Sequence, residues 1–222
     1  MICVRRCWVA ACLLLVACAS TPPTPDWQVN AHGALQRFTH AYLTGDSRAA
    51  QQEFARARSE VARTGRIDLV ARIELIRCAS QTASLEFDDC PAFQKLAADA
   101  SAAERAYAAY LAGHWQALDA NLLAAPHRAI VLAARAGAGQ LSAQERLAQI
   151  ADPLARLVAA GALFNSGHAA PADMEVAAAT ASAQGWRRPL LAWLTLQQRR
   201  LQQSGDADAG ARVQRRIDLL AP

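Results

Sequence analysis

The sequence predicts an all-α domain, and three observations carry that expectation. Alanine, leucine, arginine and glutamine, all good helix formers, dominate the 222 residues. Proline, serine and glycine punctuate the chain at intervals that suit short helices. No stretch alternates apolar and polar residues as a half-buried strand would. Short helices joined by tight turns are the pattern of antiparallel αα-hairpins.

The first element stands apart from the helical chain. Arg5 and Arg6 form a basic patch, and Trp8 to Val16 an apolar run. That run is near the ~7–15 residues of a signal-peptide core and short of the ~20 that span a membrane. It ends in Leu15-Val16-Ala17-Cys18, which resembles the lipobox of bacterial lipoproteins. The resemblance implies cleavage after Ala17 and thioether attachment of a diacylglyceryl group to Cys18, with acylation of the freed amine. Residues 1–17 are then a signal peptide, and 205 residues remain. One chain of acyl carbons holds a protein only marginally, so two or three make the anchor stable. Ala19 follows Cys18 where an aspartate would retain the protein in the inner membrane. By similarity to enterobacterial lipoprotein sorting, the expected destination is the periplasmic face of the outer membrane.

Residues 18–26 hold the lipidated cysteine and a spacer. Ala19-Ser20-Thr21-Pro22-Pro23-Thr24-Pro25 favours polyproline-like geometry at about 3.1 Å per residue, placing the folded part roughly 20–25 Å from the lipid. From residue 27 to residue 222 the chain reads as one helical domain. Asp26 is the expected N-cap of a helix from Trp27 to Thr44, and Asp46 to Thr64 forms the next, closed by Gly65. The segment with Ile67, Val70, Ile73, Glu74 and Arg77 at helical spacing is apolar over most of its circumference, so it is expected to be the most buried helix of the first half. Pro91, Ser101, Pro126, Ser142, Pro153, Pro171 and Pro189 suit helix starts, and Gly113, Gly137, Gly139, Gly167, Gly185 and Gly205 suit stops.

Gly45, Ala50, Phe54 and Ala57 match the turn, close-approach and gap-filling positions of a tetratricopeptide repeat. The pattern returns weakly as Gly113, Leu118, Leu122, Ala125 and as Gly167, Ala172, Val176, Ala179. Gly45 and Gly113 are 68 residues apart, twice 34, but Gly113 and Gly167 are 54 apart. The chain therefore resembles a degenerate tetratricopeptide-like α-solenoid, with an irregular helical domain as the alternative. The layout is similar to that of helical lipoproteins of the outer-membrane β-barrel assembly machinery and of pilotins of type IV pilus secretins. That resemblance implies a protein-binding role and assigns no residue to it.

Once Cys3, Cys7 and Cys12 leave with the signal and Cys18 carries lipid, only Cys78 and Cys90 remain. In an oxidising compartment they are expected to form a disulfide across one inter-helix connection. Glu86, Asp88 and Asp89 sit between them and are expected to favour the start of the next helix. His32, His40, His114, His127 and His168 are scattered without zinc-binding spacing, and no serine lies in a nucleophile elbow. No enzyme, metal or cofactor is expected.

Charge is nearly balanced, at +4 for the whole chain, which gives no case for nucleic acid. Its distribution is uneven. From Thr180 onward seven arginines face three aspartates. Trp186, Arg187, Arg188, Arg199 and Arg200 are therefore the candidate interface. The expected partner is another envelope protein, with peptidoglycan or a regulatory role in cell-wall synthesis as the alternative, and the N-terminal lipid as the membrane contact.

Overall fold

A computed structural model describes residues 23–136 and 143–220. The signal segment, Cys18, residues 19–22 of the spacer, Gly137, Gly139 and Ser142 lie outside the described residues. Among those described there are eleven α-helices and no strand: α1 (Asp26–Thr44), α2 (Ser47–Ala62), α3 (Ile67–Ala83), α4 (Pro91–Gln94), α5 (Ala102–Leu111), α6 (Ala125–Ala136), α7 (Ala143–Gln149), α8 (Pro153–Asn165), α9 (Pro171–Ala183), α10 (Arg187–Ser204) and α11 (Ala207–Asp218). A 3-10 turn at Ala120–Leu122 precedes α6. No described helix is long and apolar enough to cross a membrane.

Asp26 is the first helical residue of α1 rather than its cap; Pro25 takes the cap position, and the Asp26 carboxylate faces the positive end of the helix from its first turn. Gly45 ends α1 in the left-handed conformation, φ 98°, and its N–H returns to the carbonyls of Ala41 and Tyr42. Asp46 then caps α2, its Oδ1 accepting 2.9 Å from the Ala49 N–H. So short a link forces α1 and α2 into an antiparallel hairpin. Ala34 and Ala57 are fully buried, and the rings of Phe38 and Phe54 meet at 5.1 Å. The Gly45–Ala50–Phe54–Ala57 spacing thus forms the hairpin it resembles.

Helix α3 is the centre of the first half, as its apolar circumference predicts. Ten of its 17 residues are buried. It packs against α2, α5 and α8. Its one buried charge, Glu74, is held by Arg58 at 3.1 Å and Arg77 at 3.0 Å. Against α8 the approach is close enough to require glycine: a Cβ on Gly161 would lie 2.1 Å from the Thr82 carbonyl oxygen.

Helix α5 starts with a reciprocal capping box. Ser101 Oγ accepts from the Glu104 N–H at 3.2 Å, and Glu104 Oε2 accepts from the Ser101 N–H at 2.9 Å. The last four helices pack in sequence, α8 on α9, α9 on α10 and α10 on α11. Trp193 on α10 is fully buried with Leu194, and its Nε1 donates to the Ala83 carbonyl at 3.1 Å. An open solenoid confines contacts to neighbouring repeats. Here α3 meets α8 and α1 meets α10, so the chain closes on itself as an irregular helical domain.

Candidate functional site

Helix α10 buries Pro189, Leu190, Trp193 and Leu194 near its start; beyond them its apolar residues are only half-buried. Helix α11 follows after Gly205, with Asp206 Oδ1 accepting 3.0 Å from the Ala209 N–H as its cap. No residue of α11 is buried. Val213, Ile217 and Leu220 lie half-buried along one face, against the main core. The Gln198 side chain donates to Gln214 on α11 and fixes the two helices side by side.

Between α9, α10 and α11 this leaves a groove of about 420 Å³. Met174, Leu201 and Val213 make its apolar floor, and Arg200, Arg212 and Arg216 stand along it, with Glu175 as the one acid. The three arginines are exposed. None of them forms an ion pair among the described residues. Arg212 and Arg216 are one turn apart on the same helix face, a like-charge spacing that weakens a helix by about 0.2–0.5 kcal/mol. Arg200 also borders a second hollow of about 560 Å³ lined by Phe164, Met174 and Leu196. It therefore borders both the apolar groove and this second, more polar hollow, to which Gln203 and Ser204 also contribute. Guanidinium groups above an apolar floor suit an anionic group attached to an apolar body.

The five residues expected at an interface divide. Trp186 is half-buried and packs against both the main core and the cluster under α1 and α2. Arg187 Nε donates 2.7 Å to the Leu220 carbonyl. Arg188 reaches Tyr42, Ser47 and Glu86. These three residues join parts of the molecule to each other. Arg199 and Arg200 are exposed, and Arg200 enters the groove. Arg212 and Arg216 belong to the basic end seen in the sequence but were not singled out there. Their i,i+4 spacing beside Val213 and Ile217 on one amphipathic helix is the signal that marks them.

Cys78 and Cys90 are disulfide-bonded, with Cα atoms 5.7 Å apart. Both are buried. Among the described residues the one group with donor atoms at metal-ligand spacing, within 4.8 Å, is Cys78, Asp88 and Cys90; the bond leaves neither sulfur as a thiolate, the form a metal needs. The acids between the cysteines do not cap α4. Asp88 Oδ1 instead accepts 3.1 Å from the Cys90 N–H, while Glu86 pairs with Arg188 at 3.4 Å. The turn expected at His114 is present after Gly113, and His168 stacks on Trp115 with ring centres 5.6 Å apart. Compared against known families, curated proteins and solved structures, the chain gives no match.

Proposed function

We propose that the protein is a lipid-anchored adaptor of the bacterial envelope, held at the periplasmic face of the outer membrane, whose α9–α11 groove seats an acidic, amphipathic segment of another envelope protein. The single observation that carries the binding reading is the set of unpaired Arg200, Arg212 and Arg216 around the apolar floor of Met174, Leu201 and Val213. An acidic helix with one apolar face would bury that floor and give each guanidinium a carboxylate. The lipobox resemblance at Leu15–Cys18, Ala19 behind it and the proline-rich spacer support the address. The same arginines would also meet peptidoglycan carboxylates, but a glycan strand leaves the apolar floor unused, so a protein is the preferred partner.

The test is site-specific photocrosslinking in cells, with the crosslinker at Gln197 in the groove wall and Cys18 intact. The expected result is one discrete adduct that disappears in the double variant Arg200→Glu, Arg212→Glu. Purified sacculi provide the comparison. Arginine-dependent cosedimentation without a protein adduct would establish the peptidoglycan reading and end the adaptor one. Fatty-acid labelling that survives Cys18→Ser would remove the anchor.

A further inference from the structure

Away from the C-terminal groove, α3, α5, α6, α8 and the 3-10 turn enclose a cleft of about 500 Å³. Leu75, Ile76, Leu123, Leu154 and Val158 give it an apolar wall, and His127 and Tyr107 supply polar groups. We propose that this cleft binds a small, neutral, mostly apolar molecule that presents a carbonyl-type oxygen to Nε2 of His127.

The volume lies in the ~300–1,000 Å³ range of small-molecule sites, and an apolar wall with a few convergent polar atoms is their usual make-up. His127 is the directional element. It is only 8% exposed, and its Nδ1 lies 3.2 Å from the Tyr110 hydroxyl. Tyr110 is fully buried, and that hydroxyl has no other partner among the described residues. A buried phenol must place its proton on an acceptor. The imidazole is the acceptor at hand, so Tyr110 donates to Nδ1 and the ring hydrogen sits on Nε2. The ring is also neutral, because burial pushes its pKa down to about 4. No described side chain or carbonyl accepts from Nε2. An oxygen entering the cleft would take the Nε2 hydrogen in place of water, in surroundings where a hydrogen bond is stronger than in bulk solvent.

The charges on the cleft wall select against an anionic ligand. Arg72 Nε donates 2.9 Å to Glu104 Oε1, so those two offset each other. Asp152, with its Oδ1 accepting 2.7 Å from the Ala155 N–H, adds a further negative charge. A carboxylate meets net repulsion there, whereas a neutral ketone, ester or amide oxygen can accept from Nε2–H without it.

The test uses the purified full chain and two nearly isosteric probes, 2-acetylnaphthalene and 2-naphthoate, with affinity read by calorimetry. The ketone is expected to bind one per chain and the carboxylate at least about tenfold more weakly. Removing the donor with His127→Phe should weaken the ketone about fivefold. Ala103→Trp places a bulky ring on an exposed α5 residue lining the cleft and should abolish binding; it decides the matter if His127→Phe does not fold. Absence of saturable ketone binding, naphthoate binding as tightly as the ketone, or wild-type affinity in either folded variant would overturn the proposal. Each of those results leaves the α9–α11 reading untouched.

Discussion

The guanidinium of Arg188 lies 4.4 Å from the centre of the Tyr42 ring, and its Nε donates 2.7 Å to the Tyr42 carbonyl. The two residues are 146 positions apart. Tyr42 belongs to the last turn of α1, where carbonyls lack intrahelical donors. Arg188 sits in the first turn of α10, where a cation opposes the helix dipole. The guanidinium adds a second donor to a carbonyl that already accepts from the Gly45 N–H. The carbonyl and ring offset the cation's unfavourable place at the start of α10. The same guanidinium donates to Ser47 Oγ at 2.7 Å and pairs with Glu86 at 3.4 Å. One side chain therefore ties α1, α2, the 85–90 connection and α10 together.

Arg188→Ala is accordingly expected to destabilise the domain by about 2 kcal/mol, from one charge-assisted hydrogen bond and a partly desolvated cation–π contact. Arg188→Lys should restore less than half, since an ammonium cannot reach several acceptors as a planar fork does. Urea denaturation measures both. Unchanged midpoints would show that the ends of the chain are held by burial alone.

The disulfide constrains an unusual connection. Leu85, Asp89 and Cys90 all have left-handed φ, from 51° to 60°, and each such non-glycine residue costs about 1–2 kcal/mol. Closing a loop of this length stabilises the fold by about 3 kcal/mol on the chain-entropy view. The double change Cys78→Ala, Cys90→Ala should lower the melting temperature by roughly 6–12 °C and leave the helical circular dichroism spectrum intact. Thiol titration of the denatured, unreduced domain gives an independent check: two reactive thiols besides position 18 would mean the bond does not form.

Two glycines inside helices should respond in opposite directions. Gly161 presses against the α3 backbone at Thr82, so the methyl of Gly161→Ala forces α3 and α8 apart at a cost of about 3 kcal/mol or more. Gly210, the fourth residue of α11, has nothing within 4 Å of an added Cβ. Gly210→Ala should stabilise by about 0.5–1 kcal/mol through helix propensity. Equal effects in a thermal melt would show that the α3–α8 crossing has room for a methyl group.

Local chemistry made much of this fold legible. Gly45 with Asp46, Ser101, Pro153, Pro171 and Gly205 mark real helix ends, because caps and breakers act within one turn of the chain. The cysteine pair followed from counting. What escaped depends on partners far away in sequence. Gly161 lies in an alanine-rich stretch whose pattern says nothing of Thr82. Arg187 and Arg188 read as surface charge because their acceptors at Leu220 and Tyr42 are 33 and 146 residues distant. The groove was half visible: the excess of arginine gave its sign, but only the seating of α11 beside α9 gave it a floor. His127 was the least legible of all, since its surroundings come from α5, α6 and α8 at once.

That histidine makes stability depend on pH in a defined window. Its ring lies tilted against Tyr107 and Tyr110 at 5.5 and 5.0 Å between centres, and burial, opposed weakly by Asp152, lowers its pKa to about 4. In the unfolded chain the value is near 6.5. Between those limits the unfolded chain holds the proton and the folded protein does not, so stability rises with pH there. The contribution is complete above pH ~6.5 and is lost as pH falls toward ~4, by up to about 3 kcal/mol. Asp173 works in the other sense. It is buried, its carboxyl pKa is raised by desolvation, and its contribution falls as pH rises above the unfolded value. The wild-type curve alone therefore cannot assign the effect, and the informative quantity is the difference between wild type and His127→Phe. Urea midpoints at pH 7 and pH 5 should show the variant gaining about 2 kcal/mol on wild type over that interval. A difference that stays constant between the two pH values would mean that His127 is as free to take a proton in the folded protein as in the unfolded chain.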